Sequence, residues 1–216
     1  MRGILIIKDD LRIHTGDDLD LVQEVKELDN PTPQTYTVEV PGRNGLLNLT
    51  DALTGNVCYK NRTLKFQYLA NGDNNTLMSI ISLFNSFHGQ AIRIIDDDTP
   101  DWYYEGIATV KVKRDSVLAK ITLELNADPF RQRLELTNRG IELSTVTKEL
   151  VINNDGVVVI PTVIVSDSTK IVVGTNTYNL SSGSYLLANL ELKTGANVLK
   201  VSGSGTLTVQ YREARI

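Results

Sequence analysis

Sulfur and imidazole are scarce in this chain of 216 residues, which limits both cross-linking and catalysis. The one cysteine, Cys58, has no second thiol to pair with, so stability has to come from packing. Flanked by Val57 and Tyr59 on an expected strand, it reads as a small buried hydrophobe and not as a nucleophile. The only histidines are His14 and His88, and neither has a Cys or His partner at metal-ligand spacing. His14 reads as an exposed loop residue, and His88 as a helix-end imidazolium placed favourably against the helix dipole. No G-x-S-x-G elbow marks a nucleophile, so no catalytic residue, metal or cofactor is expected. No apolar run approaches the roughly 20 residues of a membrane helix, so no membrane insertion is expected. In MRGILIIKDDLRI the apolar run is cut by Lys8, Asp9 and Asp10, and Gly3 to Ile7 reads as a buried strand rather than a secretory signal. Basic excess is also missing. The formal charge is -4, and without a basic stripe, specific or tight nucleic-acid binding is disfavoured.

What is present is globular: 41% hydrophobic and 22% charged residues, in a length that accommodates two small cores. Most of it alternates with the two-residue period of half-buried strands. Val38 and Val40 stop at Pro41-Gly42, while Leu64, Phe66 and Tyr68 alternate with Lys65 and Gln67. The stretch between, Pro41 to Tyr59, is too long and polar for a tight hairpin and is expected to project. Earlier, Leu19, Val22, Val25 and Leu28 have helix-like spacing, although Leu19, Leu21 and Val25 fit an irregular strand equally well. Asn74 to Gly89 is the clear helix. Leu77, Ile80, Ile81 and Phe84 form its apolar stripe, with Asn74 or Asn75 as cap and Gly89 as left-handed terminator. A meander follows: Ala91 to Ile95, Trp102 to Ile107, Thr109 to Lys113, and Val117 to Leu125 after the turn Lys113-Arg114-Asp115-Ser116.

Composition shifts near Arg133. Fifteen basic and nineteen acidic residues precede or include it, seven of each follow, and Phe and Trp are missing beyond it. The later part consists of short β-branched runs: Leu150 to Asn153, Val157 to Ile160, Thr162 to Val165, Lys170 to Val173, Thr177 to Leu180, Tyr185 to Leu192, Asn197 to Val201 and Thr206 to Tyr211. Their spacing predicts a β-sandwich. The domains expected are therefore 1–133 and 134–216, in a mainly β chain.

Three groups invite a functional reading. Asp96, Asp97, Asp98 and Asp101 could hold a hard cation, but without an EF-hand pattern they read as a solvated hairpin turn. Gly42-Arg43-Asn44-Gly45 lacks the lysine and following helix of a phosphate cradle and reads as a polar loop tip. Tyr178 and Tyr185 could form a small sugar-stacking platform, but tyrosines on short strands more often pack with their hydroxyls wet.

The order V-P-G-R-N-G, a polar connection, then Y-K-N-R-T-L-K-F-Q-Y resembles the N-terminal half of the distal tail proteins of long-tailed siphophages that infect Gram-positive bacteria. So do Trp102-Tyr103-Tyr104-Glu105-Gly106, the alternating Ile121, Leu123 and Leu125, and the ending Ala127-Asp128-Pro129-Phe130. N-N-D-G, Pro161, L-K-T-G-A-N-V-L-K-V-S-G-S-G and the last strand to Tyr211-Arg212-Glu213 resemble the family's galectin-like second domain. The resemblance implies a tail-tube-like β-sandwich or barrel with one helix followed by a galectin-like sandwich. It also implies a non-enzymatic virion protein of the phage tail tip, made in the host cytoplasm. Its first domains would form a homo-oligomeric, six-fold ring that joins the tail tube protein to tail-tip, receptor-binding baseplate proteins and lets DNA pass. On that reading Arg43, Asn44, Leu46, Leu47, Asn48, Lys60 and Arg62 are interface residues. Asp115 and Glu124 face a channel whose wall, from the net charge of the first domain, is on balance acidic. The rival from another class is a carbohydrate-binding module or glycan-targeting accessory protein; a tail tube subunit would need no galectin-like second domain.

Overall fold

The computed structural model describes residues 2–50, 52, 55–115 and 117–216. The chain is mainly β with one helix, and divides into two compact units, Met1–Arg131 together with Ile216, and Gln132–Arg215.

In the first unit the strands are β1 (Ile4–Lys8), β2 (Leu11–His14), β3 (Val22–Leu28), β4 (Thr37–Val38), β5 (Leu47–Asn48), β6 (Arg62–Asn71), β7 (Ala91–Asp96), β8 (Trp102–Arg114) and β9 (Leu118–Ala127). The helix α1 (Asn74–Asn85) lies between β6 and β7. The main sheet is antiparallel in the order β2-β1-β7-β8-β9-β6-β3. Its long strands alternate as the sequence does: Leu64, Phe66, Tyr68 and Ala70 of β6 are fully buried, as are Ile121, Leu123 and Leu125 of β9. Leu77, Ile80 and Phe84 of α1, with Phe87 just beyond it, complete this core. Each such side chain contributes about 1.5–3 kcal/mol by burial, and Phe84 adds an edge-on contact with Phe87 at 6.0 Å between centroids.

The helix cap is Asp73, not Asn74 or Asn75: its Oδ1 accepts from Thr76 N–H at 2.8 Å. Gly89 does take the left-handed conformation, φ +73, and its N–H donates to Ala108 O. Residues 22–28 are strand, not helix. A bulge between Gln23 and Val25 breaks the two-residue period, which is why the apolar spacing looks helical. Gly106 is required for packing, since a Cβ there would lie 2.3 Å from Asn126 O on β9.

A short strand, β10 (Arg131–Arg133), leads out of this unit. The second unit holds β11 (Thr137–Glu142), β12 (Lys148–Asn154), β13 (Thr162–Val165), β14 (Thr169–Val173), β15 (Asn176–Leu180), β16 (Gly183–Leu186), β17 (Gly195–Gly203), β18 (Thr206–Tyr211) and β19 (Ala214–Arg215). Two four-stranded antiparallel sheets, β11-β18-β13-β16 and β12-β17-β14-β15, close on a core of Leu150, Ile152, Val163, Val165, Ile171, Leu199, Val201, Leu207 and Val209. This is a sandwich of aliphatic layers. Three details differ from the sequence reading. Residues 137–142 form a strand although their apolar alternation is weak. Val157 to Ile160 makes the isolated Val159–Leu192 bridge rather than a strand, with Val157 N–H donating to Ala214 O, and Tyr185 to Leu192 leaves the sheet after Leu186. Buried Asn154 organises that region: its Nδ2 donates to Val157 O and Leu192 O, and its Oδ1 accepts from Gly156 N–H.

Candidate assembly surfaces

Between β3 and β6 the chain leaves the sheet and returns as an arm. Its base is laddered by Asp29 N–H to Thr63 O, Lys60 N–H to Thr32 O and Gln34 N–H to Cys58 O, and further out β4 pairs with β5. Tyr59 packs edge-on against Phe130 at 5.5 Å. Within Pro41 to Tyr59, residues Asp51, Leu53 and Thr54 lie outside those described. The arm has almost no core of its own. Tyr36 is 66% exposed, Leu46 59%, Val38 46% and Val57 43%. Val38 therefore does not carry the burial that its alternation with Val40 suggests, and Cys58 is exposed, not packed as a hydrophobe. A row of exposed apolar side chains on a thin two-stranded excursion has nowhere in its own unit to go.

Of the sequence-selected residues, Arg43, Asn44 and Leu46 are at the exposed tip, Leu47 and Asn48 form β5, and Lys60 is exposed at the base. Arg62 is different. It is 5% exposed, donates from Nη1 to Pro129 O and lies over the Tyr104 ring at 5.0 Å. Burial lowers its pKa. Its guanidinium is used inside the unit and is not offered by the arm. Tyr36, Leu49 and Val57 are the arm residues that sequence reasoning passed over; the apolar residues among the polar ones were the available signal.

The second surface is the face of the sheet turned away from α1. Here the alternate residues of β6, β9 and β8 emerge, and a depression of about 410 Å³ is lined by Lys65, Gln67, Lys111, Lys113, Lys120, Thr122 and Glu124. Ion pairs cross it: Lys65 to Glu27 at 3.1 Å, Lys111 to Glu124 at 2.9 Å and Lys120 to Glu24 at 2.9 Å, Glu24 being the residue at the β3 bulge. Glu124 thus lies on an open face, while Asp115 closes the β8–β9 hairpin through its N–H to Leu118 O; Ser116 of that turn lies outside the described residues. This face is not acidic: its lysines outnumber its glutamates. The first unit is acidic because Asp9, Asp10, Asp17, Asp18, Asp20 and the turn at 96–101 are counted with it.

That turn is exposed at Asp97, Asp98 and Asp101, as a solvated hairpin turn would be, but not at Asp96. Asp96 is buried and paired with Lys26, Asp98 pairs with Lys26 at 2.6 Å, and Asp97 accepts from Gly3 N–H at 2.7 Å. His14 is drawn into the same corner, its ring mostly buried, with Nε2 3.1 Å from Asp97 and Nδ1 accepting from Asp17 N–H at 2.9 Å. His88 lies beyond the helix, and its Nδ1 accepts from Val110 N–H at 3.0 Å, so it holds a strand and does not face the helix dipole. Among the described residues no group of three or more His, Cys, Asp or Glu could hold a metal ion. In the second unit Tyr178 and Tyr185 sit on strands of different sheets and pack against the core, so they do not build a stacking platform.

Neither a family model nor a curated protein matches the sequence. A solved structure does match in shape: the Dit (gp 19.1) protein of SPP1, presented as a paradigm of the hub adsorption apparatus in Gram-positive infecting phages. It aligns with a TM-score of 0.65 over 99% of this chain and 99% of that chain, at 15% sequence identity. The two proteins share a fold over their whole lengths.

Proposed function

We propose that this chain is the distal tail protein of a long-tailed phage, a structural component of the virion whose task is assembly rather than catalysis. The observation that carries the reading is the fold likeness to a phage hub protein, which spans both units. In this reading the first 133 residues form a six-fold ring, and residues from 134 onward form a galectin-like sandwich. The ring joins the tail tube to the host-recognition apparatus and leaves a passage for DNA.

The arm supplies the physical reason for self-association. Its exposed Tyr36, Val38, Leu46, Leu49 and Val57 gain burial only against another surface, and each fully buried side chain would contribute about 1.5–3 kcal/mol. A second copy offers the same contact at every position of a closed ring, as a heterologous interface that closes by rotation. The uncovered polar sheet face is then the surface available to the passage.

Molecular mass in solution, measured together with titration of simple glycans, tests the reading. A ring mass without a glycan response is expected. A monomer that binds a sugar would replace it with the carbohydrate-module alternative.

A further inference from the structure

The uncovered sheet face presents an electrostatic pattern that its own fold does not require. In the β8–β9 register Lys113 stands directly opposite Lys120, an arrangement of like charges that disfavours the pairing it sits on. Among the described residues no carboxylate pairs with Lys113. The other three lysines of the face are each held by one glutamate: Lys65 by Glu27, Lys111 by Glu124, Lys120 by Glu24. All three pairs are solvent-accessible, with lysine side chains 35%, 63% and 45% exposed, so each exchanges partners readily.

We propose that this face is a contact surface for the phosphate backbone of duplex DNA, kept weak by Glu24, Glu27 and Glu124. A phosphate oxygen can replace a glutamate oxygen as the lysine's partner, and the glutamate takes the lysine back when the duplex advances. Four lysines without the glutamates would grip a polyanion; with them the face is close to neutral and releases it. The binding is therefore transient by construction, through competition for the same ammonium groups and not through repulsion by an acidic wall. The choice of DNA as the occupant rests on the proposed tail-tip role, whereas the charge exchange belongs to the face itself and operates in a single protomer.

The test is duplex binding by the full-length chain, followed by fluorescence anisotropy with a labelled random-sequence duplex. Wild type is expected to show no retention at ~150 mM salt. The triple variant E24Q/E27Q/E124Q, which frees three lysines beside Lys113, should bind, with affinity falling about 100-fold between ~50 and ~200 mM salt if four phosphates are engaged. A charge-matched control, D10N/D101N/E191Q, changes exposed acids elsewhere and should remain without retention. If removing three acids perturbs folding, Glu124→Gln alone frees only Lys111 and should give a smaller gain in the same direction. Adding Lys113→Gln to the triple variant should take back part of the gain and lower the salt slope.

Equal binding by the triple variant and the control would overturn the proposal, because the effect would then be net charge alone. No binding by either would overturn it as well. Neither result bears on ring formation, which is read independently by mass, so a ring without lysine-dependent binding leaves the tail-tip reading standing.

Discussion

Lys26 reaches from β3, at one edge of the main sheet, to Asp96 at the end of β7, although β8, β9 and β6 lie between them in the strand order. The same ammonium pairs with Asp98 at 2.6 Å. Asp96 is 3% exposed, so the contact joins a carboxylate with almost no water to a lysine that points into the unit from an edge strand. An inward charge and a bulge on one edge strand also discourage unwanted strand addition there.

Replacing Lys26 by Met should therefore cost about 3 kcal/mol, because Asp96 is left buried without its partner. The pair Lys26→Met with Asp96→Asn should recover most of that loss. Urea unfolding of the two variants and wild type provides the comparison, and equal stability of the single and double variants would refute the pairing.

The same contact sets a pH dependence. Burial opposes the Lys26 charge, but hydrogen bonds and attraction to Asp96 and Asp98 prevail and raise its pKa above the ordinary 10.5. Its contribution is full below that value and is lost as pH rises through the raised one. The hydrogen bond from Lys26 holds Asp98 below the ordinary 3.8, so that contribution is full above 3.8 and is lost as pH falls through the lowered value. The stability gap between wild type and Lys26→Met should be flat from about pH 5 to pH 9 and shrink at both extremes.

Gly106→Ala should destabilise the first unit by about 1–3 kcal/mol, since the added carbon meets Asn126 O at 2.3 Å and β8 or β9 must shift. Thermal melting with the isolated second unit, Gln132 to Arg215, as reference shows which transition moves. A shift confined to the second unit would contradict the assignment.

Asp73→Ala should lower the melting temperature of the first unit more than Asn75→Ala does, because Asp73 caps the helix by accepting from Thr76 N–H. The sequence near this helix shows how far reading alone reaches. Its apolar stripe was legible in Leu77, Ile80, Ile81 and Phe84, where spacing and burial coincide. Its cap, expected at Asn74 or Asn75, is Asp73, because all three residue types can cap and only the backbone decides. Sandwich strands such as Thr162–Val165 and Thr206–Tyr211 were legible as β-branched runs between turn residues, whereas Thr137–Glu142, with weak alternation, was not.

What the sequence hid were contacts between distant residues. The bulge at Gln23 and Val25 shifts the phase of β3, so Lys26 looks like a surface lysine. Asp96 looks like part of a wet turn until Lys26 arrives from elsewhere in the chain, and exposed Asp97 gains His14 and Gly3 as partners in the same way. The sheet face is not acidic although the first unit is, because a net charge has no position. The arm's projection was legible from its length, whereas the exposure of Tyr36, Val38 and Cys58 depended on nothing else folding over them.

Deleting Arg43 to Asn56 should leave a folded monomer, since none of the described residues in that segment belongs to the core of Leu64, Phe66, Tyr68 and Phe84. Circular dichroism would report the fold and light scattering the mass. Persistent oligomers after the deletion would rule out the arm as an assembly element.

Negative-stain imaging of the purified protein reads ring assembly itself. Closed rings with six-fold symmetry around an open centre are expected, and are expected to be lost when Arg43 to Asn56 is deleted. A field of single protomers at concentrations where the intact arm is present and folded would contradict ring assembly.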